Sequence, residues 1–170
     1  FGCNYLDTIN VFSASNPGLN AGDSTGVCLG DSVTLGGSPT ASNFMSIVWT
    51  PSTALSSDTV PNPEASPVVP TVYTITLVDT NNCSHTDSVE VTPVALPAAD
   101  AGPDTLLCAF DSFMVGGSPT GGVNSIYNWT PNALFSNPNL ANPMALVYSD
   151  TLLIVEVTDT VTGCSSFDTA

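Results

Sequence analysis

The chain repeats its own pattern at an offset of 80 residues, which is the distance from Cys28 to Cys108. The segment Gly26–Thr40 aligns with Leu106–Thr120, and both end in Gly-Gly-Ser-Pro-Thr. The same offset relates three further landmarks: Trp49 and Trp129, Asn62-Pro63 and Asn142-Pro143, and Asp79 and Asp159. A period this long, with no helical pattern inside it, indicates a tandem pair of small β domains.

Alternation of apolar and polar residues predicts strands inside each repeat. In Val72–Val78, the side chains of Tyr73, Ile75 and Leu77 share one face, and threonines lie between them. About seven short strands per repeat, separated by turns rich in Pro and Gly, are typical of a sandwich of two sheets. The predicted fold class is therefore all-β: tandem immunoglobulin-like antiparallel β-sandwiches, stapled by disulfides.

The repeat also predicts how the chain is divided. We expect five segments: residues 1–12 as the terminal strand of a preceding repeat, 13–23 as a linker, 24–92 as repeat 1, 93–103 as a linker, and 104–170 as repeat 2 with an incomplete last strand.

Each repeat contains one tryptophan, Trp49 or Trp129, and each is followed by Thr-Pro. A large aromatic residue at this point of an immunoglobulin-like sandwich fills the space between the two sheets. We therefore expect both tryptophans to be core residues.

Five cysteines, none in a Cys-x-x-Cys pair, indicate disulfides formed in an oxidising compartment rather than zinc or redox sites. The repeat predicts the pairs Cys28–Cys83 and Cys108–Cys164. Each bond would close a loop of about 55 residues and stabilise the fold by about 4 kcal/mol. Cys3, which aligns with Cys83, is predicted to form an inter-unit disulfide with a cysteine that is equivalent to Cys108.

The chain contains no Lys or Arg against 15 Asp and Glu, which gives a net charge of −15. Average usage would supply about 20 Lys and Arg in a chain of this size. Without cations to displace phosphate counterions, nucleic-acid binding is nearly excluded. An anionic membrane surface would repel the chain, and no segment suits direct membrane insertion. Compositional drift in a secreted repeat rich in Thr and Ser is an equally good explanation of the missing cations.

Catalysis needs a positioned base, and the only histidine, His85, has no counterpart in the second repeat. We expect no enzymatic activity and no organic cofactor. Calcium is a candidate ligand, because calcium prefers hard oxygen donors and several lie near the turns. The candidate ligands are Asp79, Asn81, Asp87 and Asp159. The alternative is a diffuse ion atmosphere, since the spacing is not that of an EF-hand.

Several motifs together resemble the immunoglobulin-like, PKD-like repeats of large secreted surface proteins of Bacteroidota. They are Ala98–Asp104, Gly116–Thr120, Trp129–Pro131 and Asn142-Pro143, with Gly30–Thr40 and Val72–Asp79 in the first repeat. The resemblance implies spacer or adhesive modules of long proteins that are exported by the type IX route. It implies a secreted, extracellular or cell-surface location and no enzymatic activity.

The resemblance also implies O-glycosylation. Asp followed by Ser or Thr, and then by an apolar residue or Thr, is similar to the acceptor sequence of the Bacteroidota. The candidate acceptors are Thr8, Ser24, Ser32, Thr59, Ser88, Thr105, Thr151, Thr160 and Thr169.

Two functional hypotheses follow. The first is a structural segment of an extracellular filament, stalk or surface fibre, whose partners are copies of itself or adjacent repeats, head to tail. These repeats would continue along one covalent array or exchange strands between molecules. The second is an adhesin that binds glycans or surfaces through its loops, and exposed aromatic residues would favour it.

Overall fold

The computed structural model describes residues 7–11, 18–37, 40–108, 110–118 and 120–170. The chain separates into two compact units, Phe1–Thr92 and Pro93–Ala170, and each has its own hydrophobic core. Within the described ranges the only helical element is a single turn of 3₁₀-helix at Asn132–Leu134. The predicted all-β fold class is confirmed.

Unit 1 forms a larger and a smaller sheet. Its described residues give six strands: β1 (Thr25–Cys28), β2 (Val33–Thr34), β3 (Phe44–Thr50), β4 (Glu64–Ala65), β5 (Thr71–Asp79) and β6 (Ser84–Val94). The larger sheet has the order β1-β6-β5-β3, and β2 pairs with β4 in the smaller one. The β3–β5, β5–β6 and β2–β4 pairs are antiparallel.

Unit 2 repeats this plan. Its described residues give five strands: β7 (Ser112–Met114), β8 (Ser125–Thr130), β9 (Met144–Leu146), β10 (Ile154–Asp159) and β11 (Ser165–Thr169). The larger sheet has the order β11-β10-β8, and β7 pairs with β9. All three pairings are antiparallel.

The tryptophans occupy the same register in both units. Trp49 on β3 lies opposite Ile75 on β5, and Trp129 on β8 lies opposite Val155 on β10. All four side chains are fully buried. Small-sheet residues such as Ala65 belong to the same core cluster, so each core lies between two sheets, as in a β-sandwich.

Each buried indole also satisfies its single polar atom. The Nε1–H of Trp49 donates to the carbonyl oxygen of Val60 at 3.0 Å, and that of Trp129 donates to Leu140 at 3.0 Å. A buried donor without a partner would cost free energy. The indole N–H bond therefore fixes the loop after each tryptophan, while the indole ring fills the core.

The described structure moves the predicted segment boundaries. Ala21 and Ala101, both predicted to lie in linkers, are buried core residues. They belong to the folded units because Gly36 N–H donates to Ala21 O at 2.8 Å and Gly116 N–H donates to Ala101 O at 2.9 Å. Residues 7–11 are exposed and form no strand in this chain, and the predicted role of residues 1–12 as the terminal strand of a preceding repeat stays a prediction. The rest of that segment lies outside the described residues.

We expect Trp49→Ala and Trp129→Ala each to lower the free energy of unfolding of their own unit by about 3–5 kcal/mol, because each removes the largest buried side chain. Urea unfolding followed by circular dichroism measures the loss, and fluorescence of the remaining tryptophan reports the other unit. Phe167→Ala is the control, because Phe167 is exposed. An unchanged unfolding midpoint in either variant would contradict the assignment of that tryptophan to the core.

Candidate functional site

Residues 21–24, which precede β1 and are called here the first segment of unit 1, run parallel to the last strand of the unit, β6. Ala21 N–H donates to Asp87 Oδ2 at 2.8 Å, and Glu90 N–H donates to Ser24 Oγ at 3.3 Å. Ser24 lies three residues after Ala21, and its partner Glu90 likewise lies three residues after Asp87. The first segment therefore advances in the same direction as β6, and β1 continues it beside that strand.

This direction separates the two cysteines of unit 1. Cys83 directly precedes β6, whereas Cys28 ends β1 and so lies near the end of β6. We call the end where the last strand of a unit begins its leading end, and the opposite end its trailing end. β6 has 11 residues, a length of roughly 33 Å. A disulfide needs Cα atoms within about 7 Å, so Cys28 and Cys83 cannot bond within one unit.

Unit 2 has the same arrangement. Ala101 N–H donates to Asp168 Oδ2 at 2.9 Å, which matches the bond between Ala21 and Asp87. Cys164 directly precedes β11, at the leading end. Cys108 lines a cleft together with Ala170, which follows β11, so it lies at the trailing end.

The predicted disulfide pairs are therefore wrong. Cys28 and Cys164 each take part in a disulfide, whereas Cys83 and Cys108 are free thiols. The pairs Cys28–Cys83 and Cys108–Cys164 each join opposite ends of one sandwich, which explains why neither is found. Cys3 lies outside the described residues, and its predicted inter-unit bond stays a prediction.

The glycines and threonine of the repeated Gly-Gly-Ser-Pro-Thr motif and the asparagine of the Asn-Pro motif form a partly buried polar corner in each unit. In unit 1, Asn62 Nδ2 donates to Leu35 O at 2.9 Å and to Thr40 Oγ1 at 2.7 Å. In unit 2, Asn142 Nδ2 donates to Val115 O and to Thr120 Oγ1, both at 3.1 Å. Sequence reasoning noted these motifs as landmarks but missed that they form one hydrogen-bonded network.

Glycine is required at the centre of this corner. Gly36 has φ +91°, and a Cβ atom there would lie 2.3 Å from Thr40 Oγ1 and 2.6 Å from Asn62 Nδ2. Gly116 is equally restricted, with φ +97° and the same two kinds of neighbour at 2.5 Å. A side chain could enter only by breaking the network and straining the backbone. The motif is therefore explained by folding rather than by ligand binding.

The predicted calcium ligands do not converge. Asp87 lies opposite Ile75 in the β5–β6 register, four residues along β5 from Asp79, which is roughly 13 Å. Asp159 is the candidate ligand of the second repeat and lies in unit 2. No group of three or more His, Cys, Asp or Glu side chains that could hold a metal ion occurs among the described residues. Of the candidate ligands in unit 1, Asp79 and Asn81 share a turn, and Asp87 lies apart from it. Calcium binding itself stays a prediction.

These carboxylates instead accept hydrogen bonds in turns. Asp79 Oδ1 accepts from Cys83 N–H at 2.9 Å and Asn81 N–H at 2.8 Å, and its Oδ2 lies 3.2 Å from His85 Nε2. The bond from Cys83 N–H is the largest of the causes that lower the pKa of Asp79, and the bonds from His85 and Asn81 act in the same direction.

Unit 2 builds the equivalent turn without a histidine. Asp159 Oδ1 accepts from Thr162 N–H at 2.9 Å and Val161 N–H at 2.8 Å, and these bonds lower its pKa. The bond from Ala101 N–H lowers the pKa of Asp168 in the same way. Asp79, Asp159 and Asp168 are therefore part of the fold's hydrogen bonding.

All nine candidate glycosylation acceptors are exposed. Several of their hydroxyl groups bond to nearby backbone, such as Thr105 Oγ1 to Pro103 O and Thr151 Oγ1 to Ser149 O. Exposure permits modification of every acceptor, and glycosylation itself stays a prediction.

A cleft of about 190 Å³ opens on unit 2. Its lining includes the apolar side chains of Leu107, Phe113 and Leu153 and the polar side chains of Thr105 and Asp150. Two exposed aromatic residues lie close in sequence to this lining: Tyr148, between Val147 and Ser149, and Phe110, two residues after Cys108. Their rings meet edge to face with centroids 5.5 Å apart.

The fold and these sites define an all-β protein of disulfide-containing β-sandwich units. No protein-family model matches the chain, and no curated protein matches it. Solved structures that it resembles include the PKD domain from the KIAA 1837 protein, with 24% identity over 55% of this chain and 97% of that chain, and a TM-score of 0.41.

Two more distant structures span both units. One is Bacteroides ovatus SGBP-B of a mixed-linkage glucan utilization locus, in complex with a heptasaccharide, with 16% identity and a TM-score of 0.24. It matches 88% of this chain, which spans 44% of that chain. The other is the D00-D0 domain of Intimin, with 11% identity over 88% of this chain and 95% of that chain, and a TM-score of 0.29.

These similarities concern the fold alone. Origin in Bacteroidota and export by the type IX route stay predictions. The residues that the structure describes include no helix of the length and apolar character that a membrane span requires.

We expect Asn142→Ala to lower the free energy of unfolding by about 1–3 kcal/mol, because it leaves the carbonyl groups of Val115 and Gly117 without a buried donor. Asn139→Ala, at an exposed position in the same loop, is the matched control. Chemical denaturation measures both. Equal, small effects of the two substitutions would show that the corner contributes nothing specific.

The turn carboxylates predict a defined response to acid. Because the pKa of Asp159 is lower in the fold than its ordinary value of 3.8, its bonds stabilise the fold fully above that pH and are lost as the pH falls through the folded value. Asp159→Asn should therefore be less stable than the unmodified chain at pH 7, and the gap should close below about pH 3.8.

Thermal unfolding between pH 7 and pH 2 measures this gap, and Asp31→Asn, at an exposed loop position, is the control. Between pH 7 and pH 4, protonation also relieves repulsion in a chain of net charge −15, so the fold should be as stable at pH 4 as at pH 7. A gap between Asp159→Asn and the unmodified chain that persists at pH 2 would contradict the role given to the carboxylate.

Proposed function

We propose that this chain is a structural repeat segment of an extracellular filament, stalk or surface fibre. The observation that carries the proposal is that both units place matching residues at the same core and corner positions. Trp49 and Trp129 share a register, and Asn62 and Asn142 form the same corner. Repetition of the scaffold, down to its buried polar contacts, is what a serial spacer needs.

The chemistry of the two units supports a non-enzymatic role. The single histidine, His85, contacts Asp79 in a turn of unit 1, and unit 2 builds the equivalent turn without one. The carboxylates with shifted pKa values, Asp79, Asp159 and Asp168, accept backbone N–H groups. These residues hold turns and segments of the fold through hydrogen bonds, and we propose no catalytic function.

An extracellular location is part of the proposal. Disulfide-bonded Cys28 and Cys164 suit an oxidising compartment. The sequence contains no Lys or Arg, so trypsin-like proteases have no site to cleave. Export and surface attachment would follow the route of the repeats that the sequence resembles.

One observation favours a binding module as the second candidate. Phe110 and Tyr148 are 72% and 54% exposed, and their ring pair lies close in sequence to the lining of the cleft. Exposed aromatic faces stack on sugar rings, and the hydroxyl of Thr105 and the carboxylate of Asp150 could orient a glycan there. The equivalent residues in unit 1 are Gly30 and Val68, so this aromatic pair is not part of the repeated scaffold.

The structural proposal predicts that antibodies against this chain decorate filaments or stalks at regular intervals in native extracellular material. Immunogold electron microscopy measures the labelling, and antibodies absorbed with the purified chain are the control. Labelling confined to compact particles would contradict the structural role.

A glycan array separates the two candidates. The structural role predicts no binding above background. Binding that Phe110→Ala and Tyr148→Ala abolish, and that Phe167→Ala retains, would establish the binding module. Phe167 is exposed on β11 and is not among the residues that line the cleft, so it tests whether any surface aromatic suffices.

A further inference from the structure

The four described cysteines fall into two positional classes. Cys28 and Cys108 lie at the trailing ends of their units, and Cys83 and Cys164 lie at the leading ends. One cysteine of each class is disulfide-bonded, and the other is a free thiol. Both positions are therefore able to form disulfides.

A bond inside one unit is excluded by geometry. The two cysteines of a unit lie at opposite ends of its sandwich, roughly 30 Å apart along the last strand of unit 1. The Cα atoms in a disulfide lie within about 7 Å of each other. A trailing-end cysteine therefore needs a partner from outside its own unit, and so does a leading-end cysteine.

We propose that the disulfides of this protein join consecutive repeats, from the trailing-end cysteine of one repeat to the leading-end cysteine of the next. This inference rests on the proposed function, because it needs repeats in series. Cys83 and Cys108 are then attachment sites for further repeats of the same kind. Cys83 takes a trailing-end cysteine, and Cys108 takes a leading-end cysteine.

The surroundings of the free thiols suit this role. Cys108 is exposed beside the cleft of unit 2. Cys83 is half-buried in the turn before β6, where its N–H donates to Asp79 and its Sγ lies 4.0 Å from Asn81 O. The turn holds the backbone of Cys83 in place while the sulfur is partly accessible. Because the two ends differ, such joining is heterologous and extends a chain of repeats without closing it.

The bond forms by thiol–disulfide exchange with a small-molecule disulfide. The Cys108 thiolate attacks that disulfide, forms a mixed disulfide and releases one thiol of the reagent. The Cys83 thiolate of the next copy then displaces the second thiol and forms the protein disulfide. Two protein thiols are oxidised, one small disulfide is reduced to two thiols, and no other oxidant is needed.

Single-thiol variants test the rule. In a Cys3→Ser background, Cys83→Ser keeps only the trailing-end thiol, Cys108, and Cys108→Ser keeps only the leading-end thiol, Cys83. Each is incubated with oxidised glutathione, alone and mixed, and disulfide-linked dimers are followed on non-reducing gels. We expect the mixture to form dimers roughly tenfold faster than either variant alone, since docking of complementary ends raises the local thiol concentration.

Two outcomes would overturn the rule: dimers that form equally fast in each variant alone, and no dimers in the mixture. Peptic mapping of the native disulfides is an independent check, because low pH suppresses exchange and the chain has no tryptic site. Every linked pair should contain one trailing-end and one leading-end cysteine from different units, and a Cys28–Cys83 peptide would contradict this. If gold-labelled filaments are seen but the thiols do not join, the structural role survives and the disulfide rule fails.

Discussion

A chain with 15 carboxylates and no Lys or Arg must satisfy its negative charges without ion pairs to those residues. Here the backbone supplies much of the compensation. Asp79 and Asp159 each accept two N–H groups inside their own turns, and Asp87 and Asp168 each hold the first segment of their unit through Ala21 or Ala101. Because each acceptor is tied to a particular amide, the charges define loop geometry. These four carboxylates therefore act as structural elements of the fold.

The same constraint places most of the stability in apolar burial and in neutral hydrogen bonds. Trp49 and Trp129 fill the two cores, and their indole N–H groups fix the loops that follow. Asn62 and Asn142 bring together three backbone and side-chain acceptors at a corner where only glycine fits. Buried polar networks of this kind specify one arrangement, because each unsatisfied group is costly. This explains why the glycine and asparagine motifs recur together.

The sequence predicts local features better than the direction in which segments meet. Alternation identifies the buried face of β5, because Tyr73, Ile75 and Leu77 follow the period of a strand. The disulfide pairs depend instead on whether β1 runs parallel or antiparallel to β6, and spacing alone carries no such information. Ala21 and Ala101 are predicted as linker residues because their local sequence resembles a loop. Hydrogen bonds from the distant residues Gly36 and Gly116 attach them to the folded units. The Asn-Pro and Gly-Gly-Ser-Pro-Thr motifs are recognisable in the sequence, but the hydrogen bonds between them depend on the fold.

Cysteines at opposite ends of a sandwich have a physical consequence for an array. A disulfide that closed each unit would stabilise that unit by restricting its unfolded chain. Without one, each unit depends on apolar burial and hydrogen bonds for its stability, and its cysteines are available for bonds outside the unit. A joint crossed by a single peptide linker bends and twists freely, because few contacts restrain it. A second covalent connection removes much of that freedom at no cost to the folded units. If the disulfides join consecutive repeats as proposed, the position of the cysteines would favour stiffness between repeats over stability within them, which a stalk or fibre needs more than a free binding domain does.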